Sequence, residues 1–110
     1  MKTVSTTVRV RSVWGGSSLE FAEGIVVGPF VIHRNEYQHS DTHPWCVTHR
    51  PTGRRCAAAR TRNDAIEAAR QFRTLPMDWS SEDPEFVHKA SHEVLDAART
   101  ISANAWSGTL

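Results

Sequence analysis

The sequence predicts one α+β domain spanning residues 1–110, in which an antiparallel sheet of three to four strands is followed by two helices packed on one face. Three observations predict this class. Segments with strand patterning occupy the first half of the chain, a Pro-Thr-Gly turn joins two of them, and apolar residues recur at helical spacing after residue 61. A chain of 110 residues with 39% hydrophobic and 23% charged residues is long enough for a single core.

The sheet is predicted to begin with segment 7–13, where apolar and polar residues alternate. Segment 19–21 can extend a second strand, and the runs 25–27 and 30–33 are rich in β-branched and aromatic residues. Gly28-Pro29 lies between these two runs. Because proline cannot donate a hydrogen bond to a neighbouring strand, this pair indicates a bulge or a sheet edge.

The clearest turn in the sequence lies between Trp45–His49 and a return strand at 55–59. Pro51 pre-sets the first turn position, and Gly53 accepts a positive φ. A three-residue loop with a glycine bulge then determines the register of the hairpin. The cross-strand partners predicted in this way are Arg50 with Arg54, Thr48 with Cys56, and Cys46 with Ala58.

Two helices are predicted after the hairpin. The first spans about residues 62–73, with Thr61 as its N-cap, and Pro76 ends it. The second is predicted to be one long helix that begins after Ser80 or Ser81, which are natural N-caps. Its apolar stripe steps by three or four residues and comprises Val87, Ala90, Val94, Ala98 and Ile101.

The stretch HSDTHPWCVTHRPTGRRC, residues 39–56, concentrates three histidines and two cysteines. A structural zinc ion would need four such ligands converging tetrahedrally. Cys46 and His49 differ by three positions, so on a strand their side chains leave from opposite faces. His39 and His43 precede them, but the stretch contains no C-x2-C knuckle. We therefore predict no metal site and no cofactor.

The remaining histidines and the cysteines have structural explanations. His88 and His92 stand four positions apart, but Lys89 occupies the place of the glutamate in the H-E-x-x-H signature, so a solvated pair is predicted. The two cysteines are too few for a disulfide scaffold, and the predicted register makes them diagonal neighbours with free thiols.

No catalytic motif is present in the sequence, since G-x-S-x-G, the P-loop, G-x-G-x-x-G and H-E-x-x-H are all missing. The acidic cluster Glu82, Asp83 and Glu85 is explained by the start of a helix. A histidine could form a thiol dyad with Cys46, but the sequence does not show which one lies near it. We therefore predict a protein without enzymatic activity.

No apolar run approaches the ~20 residues that cross a bilayer, so we expect a cytoplasmic protein with no membrane partner.

Charge is unevenly distributed along the chain, although the formal net charge is only +1. Residues 50–73 hold seven arginines against two acidic residues, a balance of +5, and residues 78–96 hold six acidic residues against Lys89, a balance of −5. Arginine suits carboxylate or phosphate recognition because its planar fork can make two hydrogen bonds at once. The predicted partner-binding residues form one compact positive region and are Arg50, Arg54, Arg55, Arg60 and Arg62.

Three interpretations of these arginines remain open. A protein partner is favoured, because a positive and a negative patch can each meet a complement. The alternative is nucleic acid, bound by the same basic hairpin and sheet with an affinity that falls steeply with salt. The third interpretation is a solvated face that the acidic segment partly neutralises. Exposed sheet edges and four tryptophans are also compatible with a homodimer, which nothing in the sequence selects.

The run WCVTHRPTGRRCAAARTRNDAIEAARQF combines a strand, a turn, a strand and an alanine-rich helix. It resembles small single-domain proteins of uncertain function encoded by phages, prophages and high-GC bacteria. The resemblance covers roughly residues 45–79 and carries over no functional residue. It implies a mobile-element protein that binds and blocks a host component, such as a defence nuclease or complex.

Overall fold

A computed structural model of the chain describes residues 2–11, 17–34, 41–83 and 85–110, with the backbone alone for residues 2–11 and 17–23. The described residues form strands followed by helices, which confirms the predicted α+β class. The elements in chain order are β1 (Lys2–Arg11), β2 (Ser17–Val27), β3 (Phe30–Arg34), β4 (Trp45–His49), β5 (Arg54–Ala59), α1 (Arg62–Arg73), a short 3₁₀ helix (Phe86–Lys89) and α2 (His92–Ser107).

Consecutive strands pair antiparallel, so the sheet is a meander from β1 to β5. The first and last strands then meet in parallel where the backbone of Arg9 lies opposite Arg54, and this contact closes the sheet on itself. The described part of the chain contains five strands, where the sequence predicted three to four. The difference arises at Gly28-Pro29, which separates two strands.

The predicted bulge or sheet edge at Gly28-Pro29 is wrong, because these two residues form the turn between β2 and β3. Val27 lies opposite Phe30 across the turn. Gly28 has a φ of +58°, the conformation that the first position of a two-residue type II′ turn requires. The carbonyl oxygen of Pro29 accepts the N–H of Arg50 at 2.8 Å, which ties this turn to the β4–β5 turn.

The β4–β5 hairpin has one more loop residue than predicted. Residues 50–53 connect His49 to its cross-strand partner Arg54, and an extra residue at Cys56 then restores the register. The predicted pair Cys46 and Ala58 is confirmed. The other two predicted pairs are wrong, since Thr48 faces Arg55 and Arg50 lies in the turn.

Hydrogen bonds inside the loop explain its length. Gly53, with a φ of +70°, donates its N–H to the carbonyl oxygen of His49 at 2.8 Å. The Thr52 hydroxyl accepts the N–H of Arg54 at 3.2 Å. The bond from Gly53 to His49 closes a loop of four residues, and the irregularity in the register then falls at Cys56.

Helix α1 occupies its predicted span, and Thr61 caps it by accepting the N–H of Asp64 at 3.1 Å. The helix packs against β4 and β5.

Within the described residues, no helix is both long and apolar enough to cross a membrane.

The prediction of one long second helix is wrong, because α2 starts at His92 and a separate 3₁₀ helix precedes it. Ala90 between them is extended, with φ −77° and ψ 153°, which interrupts helical hydrogen bonding. Ser91 then caps α2 by accepting the N–H of Val94 at 3.3 Å. Helix α2 packs against β5 and α1.

The core lies between the sheet and the two helices, and β3 and β4 are also buried on their other face. The face toward the helices and the helix residues that cover it include Phe30, Ile32, Val47, Ala57, Ala59, Ala65, Ile66, Ala69, Phe72, Ile101 and Ala105. The opposite face of β3 and β4 presents Val31, His33, Cys46 and Thr48, each no more than 5% exposed. Closure of the sheet explains why both faces are buried.

Replacement of Gly24 by alanine should destabilise the fold strongly. Gly24 faces His33 across β2 and β3, and a Cβ there would collide with the carbonyl oxygen of Ile32 and lie 2.6 Å from Cγ2 of Val31. Because backbone and packed core cannot move freely, we expect Gly24→Ala to lower the free energy of unfolding by roughly 3 kcal/mol, measured by urea denaturation.

Gly108→Ala is the matched control for this substitution. A Cβ at Gly108 would meet Asp64 Oδ2 at an ordinary 3.7 Å, so the cost is confined to its φ of +74°, about 1 kcal/mol. Equal losses of stability in the two variants would contradict the role of close strand approach at Gly24.

Candidate functional site

His49, the last residue of β4, is fully buried and organises the hairpin end of the sheet, defined here as turns 28–29 and 50–53. Its Nε2–H donates to the carbonyl oxygen of Trp79 at 2.6 Å, and its Nδ1 accepts from the Thr52 hydroxyl at 2.8 Å. Because a carbonyl oxygen can only accept, the ring carries a proton on Nε2. Burial lowers the pKa of the ring and favours its neutral form, in which Nδ1 accepts. The histidine therefore joins the hairpin turn to the segment that follows α1.

Aromatic side chains enclose the ring of His49. The ring centroid of Phe86 lies 4.9 Å away, and those of Trp79 and Phe30 lie at 5.7 Å and 5.9 Å. Trp79 also packs edge-on against Phe30 at 5.0 Å. Such tilted and edge-to-face pairs are favourable for aromatic rings. The cluster fixes residues 79–86 against the hairpin end.

The structure divides the five predicted contact arginines into two groups. Arg50, Arg54 and Arg55 are exposed at the hairpin end, whereas Arg60 and Arg62 are exposed where β5 passes into α1. Arg54 and Arg55 begin β5 and Arg60 follows its last residue, so five to six strand positions, about 16–20 Å at ~3.3 Å per residue, separate the groups. The expected single compact region is therefore replaced by two positive regions at opposite ends of β5.

Two arginines that the sequence analysis did not select lie at the hairpin end. Arg73 ends α1, and its guanidinium packs over Gly28, where a Cβ would be only 2.6 Å from Nε. The backbone of Arg9 lies opposite Arg54. The sequence could have indicated the position of Arg73. A 12-residue helix rises ~18 Å, which matches the length of β5, so the end of α1 comes back to the hairpin end. The approach of β1 to β5 had no such signal.

The acidic segment begins beside these arginines. The hydrogen bond from His49 holds Trp79 at the hairpin end, so the exposed neighbour Asp78 lies there too, close enough for its charge to act on His49. Asp78 Oδ1 accepts from the Ser80 hydroxyl at 2.5 Å. The hairpin end therefore presents both signs of charge on one surface.

In the described part of the chain, the carboxylates do not pair with four of the predicted arginines, which are Arg50, Arg55, Arg60 and Arg62. The ion pairs are Glu67 with Arg70 at 3.9 Å, Glu85 with His88 at 2.7 Å, and Asp96 with Arg99 at 3.0 Å. None of the described carboxylates pairs with Arg50, Arg55, Arg60, Arg62 or Arg73. Internal neutralisation of the arginines by the acidic segment is not seen among these residues.

The histidines and cysteines of the 39–56 stretch point in different directions. His43 stacks on Trp106 with ring centroids 3.4 Å apart and hydrogen-bonds to its carbonyl oxygen at 2.8 Å. Cys46 and His49 occupy opposite faces of β4. Position 39 lies outside the described residues. Within those residues, no group of three or more His, Cys, Asp or Glu side chains is arranged to hold a metal ion.

The histidine next to Cys46 is His33, its direct cross-strand partner. His33 Nδ1–H donates to the carbonyl oxygen of Arg34 at 2.9 Å, and Nε2 accepts from the Thr48 hydroxyl at 2.6 Å. Burial raises the pKa of the Cys46 thiol, and the Arg55 guanidinium only partly opposes the increase. A protonated thiol that is 1% exposed is a poor nucleophile, so the pair does not support catalysis.

Comparison with protein families, with curated proteins and with solved structures found no match to this chain. The resemblance to small phage and prophage proteins therefore stays a prediction.

Acidification should destabilise the protein through His49. Burial lowers the pKa of its ring below the ordinary 6.5, and the Trp79 hydrogen bond and Asp78 charge oppose that change. The unfolded chain therefore takes up a proton first. The stability that the neutral ring contributes is complete above pH ~6.5 and is lost as the pH falls toward the lowered pKa, by at most ~1.4 kcal/mol per pH unit.

Urea denaturation between about pH 7.5 and pH 5 measures this dependence. His49→Gln should remove the contribution of His49 to the pH dependence of the free energy of unfolding. His92→Gln, at an exposed position, should keep that contribution. An unchanged pH dependence in His49→Gln would show that other groups cause the acid sensitivity.

Cys46 should resist thiol reagents in the folded protein. Both cysteines are free, and burial raises the pKa of each, but only Cys56 is partly exposed. With Ellman's reagent at about pH 8 we expect slow labelling of Cys56 and labelling of Cys46 only after unfolding. In Cys56→Ser only Cys46 can react with the reagent. Rapid labelling of that folded variant would mean that Cys46 is accessible.

Proposed function

We propose that this chain is a small non-catalytic binding protein that engages a protein partner through the hairpin end of its sheet. The contact arginines are Arg50, Arg54 and Arg55. One observation carries the proposal. The hydrogen bond from His49 to Trp79 holds the start of the acidic segment 78–96 beside the turn 50–53, so positive and negative side chains are presented on one surface.

The scaffold beneath these arginines is well suited to binding. Thr52 and Gly53 are buried within the turn, and the loop is tied by hydrogen bonds to His49 and to the neighbouring turn at Pro29. A loop that is already ordered loses little conformational entropy when a partner binds. Exposed Arg50 and Arg54 can then make charge-assisted hydrogen bonds from a fixed base, whereas the Arg55 guanidinium also interacts with the buried Cys46 thiol.

Mixed charge favours a protein over a nucleic acid as the partner. Asp78 lies at the same end as Arg50 and would repel a phosphate backbone, whereas a protein surface can place a carboxylate against one and a cation against the other. Nucleic acid stays the second candidate because Arg50 and Arg73 are exposed at this end and could contact phosphates. Its binding would fall steeply with salt.

Inhibition of a host component, such as a defence complex, is the biological role that we propose for this binding. It rests on the resemblance of residues 45–79 to small phage and prophage proteins. A homodimer stays a further prediction, although the pairing of β1 with β5 closes the sheet edges on which it was based.

Reversal of charge at the hairpin should abolish partner binding. We expect Arg54→Glu with Arg55→Glu to weaken binding at least ~tenfold, because two exposed charge contacts become repulsive. The measurement is capture from lysate of the native host, identification of the retained protein, and titration of that purified protein. Circular dichroism confirms that the variant is folded.

Arg60→Glu with Arg62→Glu is the matched control, because it makes the same change of charge at the other end of β5. Retained binding in the control and lost binding in the hairpin variant support the proposal, and equal binding by both variants would overturn it. Mobility shifts with DNA and RNA at low and moderate salt test the alternative. Strong salt-sensitive shifts that the hairpin variant loses would establish nucleic acid as the partner.

A further inference from the structure

Two arginines from distant parts of the chain meet at the Gly28-Pro29 turn. The Arg73 guanidinium packs against the backbone of Gly28, since an ideal Cβ there would lie 2.6 Å from Nε and 2.9 Å from Cζ. Arg50 donates its backbone N–H to the carbonyl oxygen of Pro29 at 2.8 Å. Both residues are thus within contact distance of the same two-residue turn.

These two charges have no partner among the described carboxylates. Arg50 and Arg73 are both exposed, and the ion pairs of the described residues involve Arg70, Arg99 and His88 instead. The head group of Arg73 is also positioned in advance, because it packs on the turn backbone. A pre-positioned guanidinium, with a second exposed arginine anchored through its backbone to the same turn, suits the recognition of an anion.

The neighbouring Asp78 decides which anion fits. Phosphates follow one another closely along a nucleic acid, so a strand lying across Arg50 and Arg73 would bring further phosphates against this carboxylate. A protein can present a single carboxylate, or two adjacent ones, to the arginines and a basic residue to Asp78. The surface therefore matches an acidic side chain within a protein segment of mixed charge.

We infer that Arg73, with Arg50, anchors a carboxylate of the partner protein at the Gly28-Pro29 turn. The inference rests on the proposed function and adds to it a residue outside the hairpin and the chemistry of the partner segment that faces it. Gly28 has a second role in this account, because only a residue without a side chain lets the Arg73 guanidinium lie on the turn.

The experiment uses three fluorescent probes of equal length: a serine-rich peptide with two adjacent glutamates and one lysine (the glutamate peptide), a counterpart with lysines in place of the glutamates, and a DNA duplex. Fluorescence anisotropy at low salt should show binding of the glutamate peptide by the full chain. Arg73→Gln and Arg50→Gln should each weaken it about fivefold, the upper range for an exposed charge pair. Arg62→Gln, at the other end of the same helix, should leave it unchanged.

Gly28→Ala separates position from charge. It keeps both arginines but places a methyl group where the Arg73 guanidinium lies, so it should weaken peptide binding as Arg73→Gln does. Gly108→Ala has a similarly positive φ and no such contact, and it should bind normally. Changes in the amide resonances of Gly28 and Arg50 on adding peptide would locate the site at the turn.

Several results would overturn the inference: no binding of the glutamate peptide, equal affinity in Arg73→Gln and Arg62→Gln, or tighter binding of the duplex that the same variants lose. The outcome is distinguishable from failure of the proposed function. If Arg54→Glu with Arg55→Glu loses the captured partner while Arg73→Gln binds peptide normally, the inference alone fails. If partner capture is unaffected both by Arg54→Glu with Arg55→Glu and by Arg73→Gln, the proposed function fails.

Discussion

Burial of one neutral histidine constrains the rest of this structure. His49 is enclosed by aromatic rings, and both ring nitrogens are hydrogen-bonded, one to Thr52 in the turn and one to the Trp79 carbonyl beyond α1. Loss of either partner would leave a buried polar atom unsatisfied, at a cost of ~1–3 kcal/mol. The turn and the Trp79 segment are therefore held together, and the charges on either side of the bond keep constant relative positions.

The same rule explains why a sequence with many histidines and cysteines needs no metal to account for them. His33 and His43 are buried and use their ring nitrogens in hydrogen bonds to a hydroxyl or a carbonyl oxygen, as His49 does. Among the described residues, no buried side-chain nitrogen or oxygen lacks a partner. Closure of the sheet buries the second face of β3 and β4, so His33 and Thr48 on that face must hydrogen-bond within the protein. The hydrogen bonds of all three histidines stabilise the fold.

The surface that we propose for binding lies at the turns, where the structure combines rigidity with charge. Arg50 and Arg73 reach the Gly28-Pro29 turn from a hairpin and from a helix end, and Asp78 is held near them by its neighbour Trp79. Charges on a rigid base give orientation and specificity at low entropic cost. A surface that carries both signs discriminates against the uniform charge of a nucleic acid, which is the physical basis for favouring a protein partner.

The sequence by itself determined the features that depend on near neighbours in the chain. The Thr61 cap and the apolar spacing located α1, and the proline and glycine of residues 51–53 located the hairpin, because capping and turn conformation are local. Only the tertiary structure decided the extra residue at Cys56, the closure of β1 onto β5 and the contact between Gly28 and Arg73. The closure and the contact with Arg73 join residues far apart in sequence, and the irregularity at Cys56 depends on which residues of the hairpin pair across the strands. No local pattern encodes this geometry.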